Sequence, residues 1–201
     1  MTALIHVVDD DPSVRTALTR LLKARGYETK GYASAWEFLT AERAPGAGCL
    51  ILDVSMPGPS GLELHDTLLK NGNPMPVIFL TGHGDIPMTV RAMRNGAVDF
   101  LTKPVQRDLL MAAIERALSR GEEERAAQEL RQLMRDRYET LTARERAVFA
   151  RVAEGRLNKQ IAAELGTSER TIKAHRAQVM EKLRTRSVAE LVRAADLLKP
   201  G

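Results

Sequence analysis

The chain has 201 residues, of which 44% are hydrophobic and 28% charged, with a formal net charge of +4. This is the make-up of an ordinary globular protein of one or two domains, each long enough to bury a core. A single cysteine, Cys49, excludes an intramolecular disulfide and argues against a Cys-based zinc site. Residues 1–120 carry equal numbers of acidic and basic side chains, whereas residues 139–201 hold 13 Lys and Arg against 8 Asp and Glu. A neutral half joined to a basic half points to nucleic acid at the C-terminal end, although a modest basic excess also suits a plain solvated surface. No apolar run approaches the length of a membrane span, and no basic stretch followed by an apolar one opens the chain. The expectation is a cytoplasmic protein with no membrane partner.

In chain order, Leu4–Val8 reads as a buried strand. Ser13–Ala24 reads as a helix with Val14, Ala17, Leu18, Leu21 and Leu22 at helical spacing and Gly26 just past its end. Glu28–Tyr32 is a short, weak strand. Ser34-Ala35-Trp36-Glu37 has the form of a capping box opening the next helix. The run from Cys49 to Leu52 is apolar on both faces, as in a parallel sheet, and ends on Asp53 before a Pro- and Gly-rich loop. A helix follows over Gly61–Lys70, then a strand at Val77–Leu80. A helix over 86–94 has Pro87 in its first turn and Gly96 after its end. Val98–Thr102 is the last strand, and a helix begins near Gln106. Five such repeats imply a doubly wound parallel (βα)5 sheet.

In a parallel sheet the carboxyl ends of the strands share one edge, and the polar residues here stand at those ends. Asp9, Asp10 and Asp11 follow the first strand, Asp53 ends the third, Thr81 the fourth and Lys103 the fifth. Any one of them has an ordinary explanation: strand-end acids cap helices, and a lysine can be solvated. Together they suggest more. Clustered carboxylates repel one another unless a cation joins them, and oxygen-only ligands favour Mg²⁺. A lysine and a hydroxyl nearby suit phosphoryl oxygens, and Asp53 would be the nucleophile that forms an acyl phosphate.

Residues 106–137 read as nearly continuous helix, with Gly121 the only breaker and Leu130, Leu133 and Met134 a narrow apolar stripe. The stretch is read as a helical linker, either solitary or paired as a short coiled coil. Beyond it, Thr142-Ala143-Arg144-Glu145 and Ser187-Val188-Ala189-Glu190 are further capping boxes. A short helix at Asn158–Leu165, a turn at Gly166-Thr167 and a longer basic helix after Ser168 make a helix-turn-helix. The longer helix carries Arg170, Lys173, Arg176 and Lys182, with small Ala174 and Ala177 between them. These features suit a structural helical bundle as well as a DNA reader.

Two sets of motifs resemble known families. Val7-Val8-Asp9-Asp10-Asp11, Leu52-Asp53-Val54-Ser55-Met56-Pro57, Leu80-Thr81-Gly82-His83-Gly84 and Phe100-Leu101-Thr102-Lys103-Pro104 resemble the receiver domain of bacterial two-component response regulators. That likeness implies a flavodoxin-like fold in which Asp53 takes a phosphoryl group from a sensor histidine kinase. It implies Mg²⁺ bound by Asp9, Asp10, Asp53 and the backbone carbonyl of Ser55, with Asp11 not a principal ligand. Lys103 would pair with the phosphoryl group, Thr81 would be the switch hydroxyl and Phe100 the aromatic that moves with it. The Lys103–Pro104 bond is typically cis in that family. Ser55 and His83, beside the site, would tune hydrolysis of the acyl phosphate.

Leu141-Thr142-Ala143-Arg144-Glu145, Asn158-Lys159-Gln160-Ile161-Ala162 and Ser168-Glu169-Arg170-Thr171-Ile172-Lys173-Ala174-His175 resemble the LuxR-type four-helix DNA-binding domain. By that likeness Lys173, Ala174 and Ala177 face bases, while Lys159, Thr171, Arg176 and Gln178 meet the backbone; Arg170 belongs to the same DNA-binding surface. The last helix, with Val188, Leu191 and Val192, would carry the contact of a DNA-bound dimer, with a place in the core as the alternative for Leu191. The whole resembles the FixJ and NarL type of regulator, with Thr81–Asp85 more FixJ-like. The expectation is a receiver over 1–120, a helical linker over 121–138 and a helix-turn-helix domain over 139–201. Phosphorylation would drive homodimerisation and binding to double-stranded promoter DNA, with RNA polymerase as a further partner. One rival is an aspartate-nucleophile phosphatase of the haloacid dehalogenase type, which wants a second acid where Ser55 stands. The other is an adaptor that another protein reads.

Overall fold

A computed structural model describes residues 3–42, 48–72, 75–82 and 86–199. The chain divides into two compact units, residues 1–125 and 126–201. Among the described residues no helix is long and apolar enough to cross a membrane.

The first unit has strands β1 (Leu4–Val8), β2 (Glu28–Tyr32), β3 (Gly48–Asp53), β4 (Val77–Thr81) and β5 (Asp99–Thr102). They form one parallel sheet in the order β2-β1-β3-β4-β5. Between them run helices α1 (Pro12–Lys23), α2 (Ala35–Thr40), α3 (Gly61–Lys70) and α4 (Ile86–Arg94), and α5 (Arg107–Glu139) follows. Strand alternation sends side chains to two apolar layers. Leu50, Leu52 and Phe79 pack with Phe38, Leu64 and Ala92 on one face. Ile5, Val7, Ile51 and Ile78 pack with Leu18, Leu22, Leu110 and Ile114 on the other. The five β–α repeats and the doubly wound sheet are as expected from the sequence, each boundary within one residue or so.

The caps are less uniform than their motifs suggested. Thr142–Glu145 closes as a full capping box, and so does Ser60–Glu63, which the sequence reading passed over. At Ser34–Glu37 and Ser187–Glu190 only half of the box forms. The serine hydroxyl accepts from the N3 amide, but each glutamate reaches one residue further out, to the N–H of Ala33 and of Arg186.

Helix α5 runs unbroken through Gly121. The expected breaker is a close-approach residue instead: a Cβ there would stand 3.1 Å from Pro76 Cγ and 3.6 Å from the Gly48 carbonyl oxygen. The apolar stripe of the linker is also split. Met134 is buried in the core of the second unit and Tyr138 packs against it, whereas Leu130 and Leu133 remain exposed. The second unit is therefore the end of α5 with α6 (Ala143–Ala153), α7 (Asn158–Glu164), α8 (Glu169–Leu183) and α9 (Val188–Leu198). Its core is built on Val148, Phe149, Ile161, Ile172, Val179 and Leu191. Burial of Leu191 makes it a core residue; Val188 is exposed and Val192 half-buried. Cys49 lies fully buried in β3, where burial pushes its thiol up to about 12, so it is an inert packing group.

Candidate functional site

The strand order reverses direction between β1 and β3, and such a reversal opens a crevice beyond the carboxyl ends of those strands. Register does the rest. Val8 lies opposite Leu52, so the next residues, Asp9 and Asp53, are set side by side. Asp9, Asp10 and Asp53 can each place a carboxylate oxygen within 4.8 Å of the others. Asp9 and Asp53 are buried and Asp10 is exposed, which leaves the cluster open on one side. From the end of β5, Lys103 reaches in, its Nζ 2.6 Å from Asp9 Oδ2 and 3.0 Å from Asp53 Oδ2. The Lys103–Pro104 bond is cis, as the resemblance implied.

The electrostatics are those of a crowded anionic pocket. Burial raises the Asp9 carboxyl above its ordinary value, against the pull of the hydrogen bond from Lys103. Burial alone would lower the Lys103 ammonium, but its hydrogen bonds to Asp9 and Asp53 outweigh that and leave it raised. Lys103 is thus a cation held between two acids. The all-oxygen set, with one acid facing solvent, fits a hard divalent cation that keeps open positions for a phosphoryl group.

Thr81, fully buried at the end of β4, accepts the backbone N–H of Lys103 on its carbonyl oxygen at 2.7 Å. Alternation along β4 puts its side chain on the face of the sheet that holds Phe79. Phe100 lies opposite Phe79 in the register, half-buried on that face, with 6.1 Å between the ring centroids. Thr81 and Phe100 therefore share one side of the sheet. Ser55 is exposed, and its N–H donates to Asp53 Oδ1 at 3.3 Å. The Asp11 carboxylate stands outside the cluster, although its backbone N–H donates to Asp9 Oδ1 at 3.0 Å: the side chain caps α1, accepting from the Ser13 N–H at 2.7 Å, and that bond holds its carboxyl below the ordinary range. His83 and the side chain of Ile86 lie outside the described residues. On the surface made by α4 and β5, Val90 and Met93 are exposed, while Met88 and Val98 pack against the two cores.

Two site residues escaped the sequence reading. Arg15 Nη1 donates to the carbonyl oxygens of Asp9 and Asp10 at 2.6 and 2.9 Å, clamping the loop that carries both acids. Its position in the first turns of α1 gives no motif that could reveal this. Gly61 opens α3 directly against the site loop: its N–H donates to the Val54 carbonyl, and a Cβ on it would overlap the Asp53 carbonyl oxygen. The sequence offers only a glycine at the first position of a helix; what it approaches is set by the fold.

In the second unit, Arg170, Lys173, Ala174, Ala177 and Gln178 are exposed and recur at i, i+3, i+4, i+7 and i+8. They form one stripe along α8. Ile172, Val179 and Leu183 bury the opposite face. Thr171 borders the stripe, its hydroxyl 2.9 Å from the N-capping Ser168 hydroxyl. Lys159 is exposed on α7. Two of the four basic residues named for α8 are not on its open face. Arg176 is half-buried and donates to Asn158 Oδ1. Lys182 turns inward to Glu145, with Nζ 2.7 Å from Oε2. At about 100° per residue, positions 176 and 182 fall just beyond the two edges of that stripe, 176 on the side of Lys173 and 182 on the side of Gln178.

Glu145 is the buried acid of this unit. It accepts from Lys182 and from the Thr142 N–H, joining α8 to the cap of α6. The Lys182 bond and then the Thr142 bond hold its carboxyl below the ordinary range. For a depressed acid the stabilisation is full above the unfolded value near 4.5 and is lost as pH falls through the folded value. Glu145→Ala is expected to lower the melting temperature of the second unit at pH 7. The difference from wild type should shrink below about pH 4, and parallel melting curves across that range check it.

Comparison with known proteins agrees with this geometry. Residues 5–115 match the response regulator receiver domain, and residues 139–195 match the luxR family of bacterial regulatory proteins. Nodulation protein W of Bradyrhizobium diazoefficiens is 46% identical over 196 residues, 98% of this chain and 86% of its own length. Transcriptional regulatory protein FixJ of Azorhizobium caulinodans is 43% identical over 193 residues, 96% of this chain and 92% of its own. Among solved structures, the response regulator StyR superposes with a TM-score of 0.81 at 44% identity, covering 98% of this chain and 99% of that one. Full-length FixJ from B. japonicum gives 0.60 at 40% identity, covering 98% of each chain. An acidic pocket at the reversal point of a parallel sheet, a basic helix-turn-helix and likeness along nearly the whole length lead to one conclusion: the chain belongs to the two-component response regulators that join a receiver domain to a LuxR-type DNA-binding domain.

Proposed function

We propose that Asp53 accepts the phosphoryl group of a sensor kinase's phosphohistidine, and that the acyl phosphate controls dimerisation and promoter binding. The observation that carries the proposal is the convergence of Asp9, Asp10 and Asp53 within 4.8 Å, with Lys103 bonded to two of them. An Asp53 oxygen attacks phosphorus, the Oδ–P bond forms, and the P–N bond breaks with its electron pair left on the imidazole. Bound Mg²⁺ would neutralise charge on the transferring oxygens. Asp9, Asp10, Asp53 and the Ser55 carbonyl would hold it. Lys103 is then drawn from the two acids toward a phosphoryl oxygen.

The remaining steps belong to packing. New acceptor oxygens at Asp53 attract the Thr81 hydroxyl, and Phe100, on the same face, turns into the space vacated. The surface of α4 and β5 is biased by that change and pairs with a second copy. Receiver, linker and reader would occupy 1–120, 121–138 and 139–201, with Met134 and Tyr138 serving the reader's core. The stripe of Arg170, Lys173, Ala174 and Ala177 would enter the major groove, with Lys159, Thr171, Arg176 and Gln178 on phosphates. Contact with RNA polymerase would follow at the promoter, in the cytoplasm. The chain would turn over no substrate but its own phosphate.

Sedimentation with labelled duplex fragments, with and without Mg²⁺ and a small phosphodonor, tests the scheme. The expected result is that donor and Mg²⁺ together convert monomer to dimer and retain selected fragments. Equal binding without donor would mean that phosphorylation acts on something other than DNA affinity.

A further inference from the structure

The start of α7 breaks a local rule. Its N-cap position is Leu157, whose side chain offers no acceptor to the free N–H groups of the helix and stands 69% exposed. Asn158, a residue type that caps helices well, sits one place too late to do so. Its Oδ1 instead accepts from Arg176 Nη1 at 2.5 Å, across the turn to α8. The start of α7 keeps one half of a capping box, Gln160 Oε1 accepting from the Leu157 N–H at 2.8 Å, while the side chain of Asn158 is committed to an arginine on another element, and that commitment suggests that the arginine's orientation matters.

Arg176 is half-buried on the flank of α8, beside the exposed stripe rather than in it. Among the described residues no other group takes the remaining N–H donors of its guanidinium. A guanidinium is a planar fork, so fixing one nitrogen fixes the direction in which the others point. Lys159, the neighbour of Asn158, is exposed at the same helix start. We infer that Asn158 is a positioning residue: it presets the Arg176 fork to grip a DNA backbone phosphate, and it acts on DNA only through Arg176. This rests on the reading of α8 as the DNA-facing helix, and it deepens that reading by separating two roles. The open stripe would read bases, and the Asn158–Arg176 pair would set how deeply and at what angle the helix is anchored.

The rival role for Asn158 is purely structural, a tie between α7 and α8. A double-mutant cycle on the full chain separates the two, using a random-sequence duplex pool and the duplexes that wild type enriches from it, at several salt concentrations. Asn158→Ala is expected to weaken binding to both DNA sets by one common factor, roughly fivefold. Arg176→Ala should weaken it further and reduce the slope of log affinity against log salt by about one per bound subunit. With Arg176→Ala in place, Asn158→Ala should change nothing more. Arg176→Lys should keep the salt slope but abolish the effect of Asn158→Ala, because charge remains and the fork is gone. The inference is overturned if Asn158→Ala costs as much affinity without Arg176 as with it, or if it tightens binding. It is also overturned if Arg176→Ala leaves affinity and slope intact while Lys173→Ala weakens binding; the DNA-facing role of α8 would then survive. If neither substitution weakens binding, the DNA-facing role itself fails. Urea midpoints of each variant separate loss of fold from loss of contact.

Discussion

Asp53→Asn is expected to abolish phosphoryl uptake, by at least a thousandfold in rate, while the receiver stays folded. A carboxamide oxygen is a poor nucleophile, and an acyl phosphate cannot form on it without loss of nitrogen. The fold should tolerate the exchange. Asp53 is almost isosteric with asparagine, and its buried neighbour Asp9 keeps the 2.6 Å bond to Lys103. One negative charge also leaves a site where acids crowd, so the variant should be at least as stable as wild type without Mg²⁺. Intact-mass measurement after exposure to a small phosphodonor reads the outcome directly. Phosphorylation of Asp53→Asn at the wild-type rate would move the nucleophile to another carboxylate and undo the proposed chemistry. Turnover of a phosphomonoester by wild type would favour the phosphatase reading instead.

Gly61→Ala is expected to destabilise the receiver by about 1–3 kcal/mol and to slow phosphorylation. The reason is local and steric. The new methyl would overlap the Asp53 carbonyl oxygen and lie 3.0 Å from Leu52 Cγ. The first of these is backbone, so relief requires the phosphoacceptor's own loop or the start of α3 to move. The N–H of Gly61 bonds the Val54 carbonyl and ties the same loop, so the shift would be transmitted to Asp53. Two glycines nearby serve as controls. Gly82→Ala meets nothing within 4 Å and should stay within about 0.5 kcal/mol of wild type. Gly58→Ala also has open space, but its φ of +80° makes it cost about 1 kcal/mol through backbone strain. Urea unfolding with phosphorylation rates on the same samples checks all three. A neutral Gly61→Ala with normal phosphorylation would show that α3 can slide along the sheet without disturbing Asp53.

Much of this molecule was legible before its structure. Helix and strand positions followed from periodicity, and the polar strand ends Asp9, Asp53, Thr81 and Lys103 could be assembled at one edge because parallel β–α repeats leave no other arrangement. Caps were legible as motifs. Whether the glutamate closed onto the cap residue, as at Glu145, or onto the residue before it, as at Glu37 and Glu190, was not. That choice depends on the path by which the chain enters the helix.

Residue order along the chain sets which elements form, their succession, and therefore the edge where phosphoryl chemistry would occur. These follow from interactions within a few residues and from a topology with few solutions. Packing between distant elements, by contrast, is what makes Arg15 clamp the acidic loop, makes Gly61 and Gly121 points of close approach, and takes Met134 from its stripe into a core. It likewise supplies Asn158 and Glu145 as the partners of Arg176 and Lys182. Each of these depends on which atom of a distant element stands within about 3 Å, and no periodicity along one chain segment encodes its distance to another.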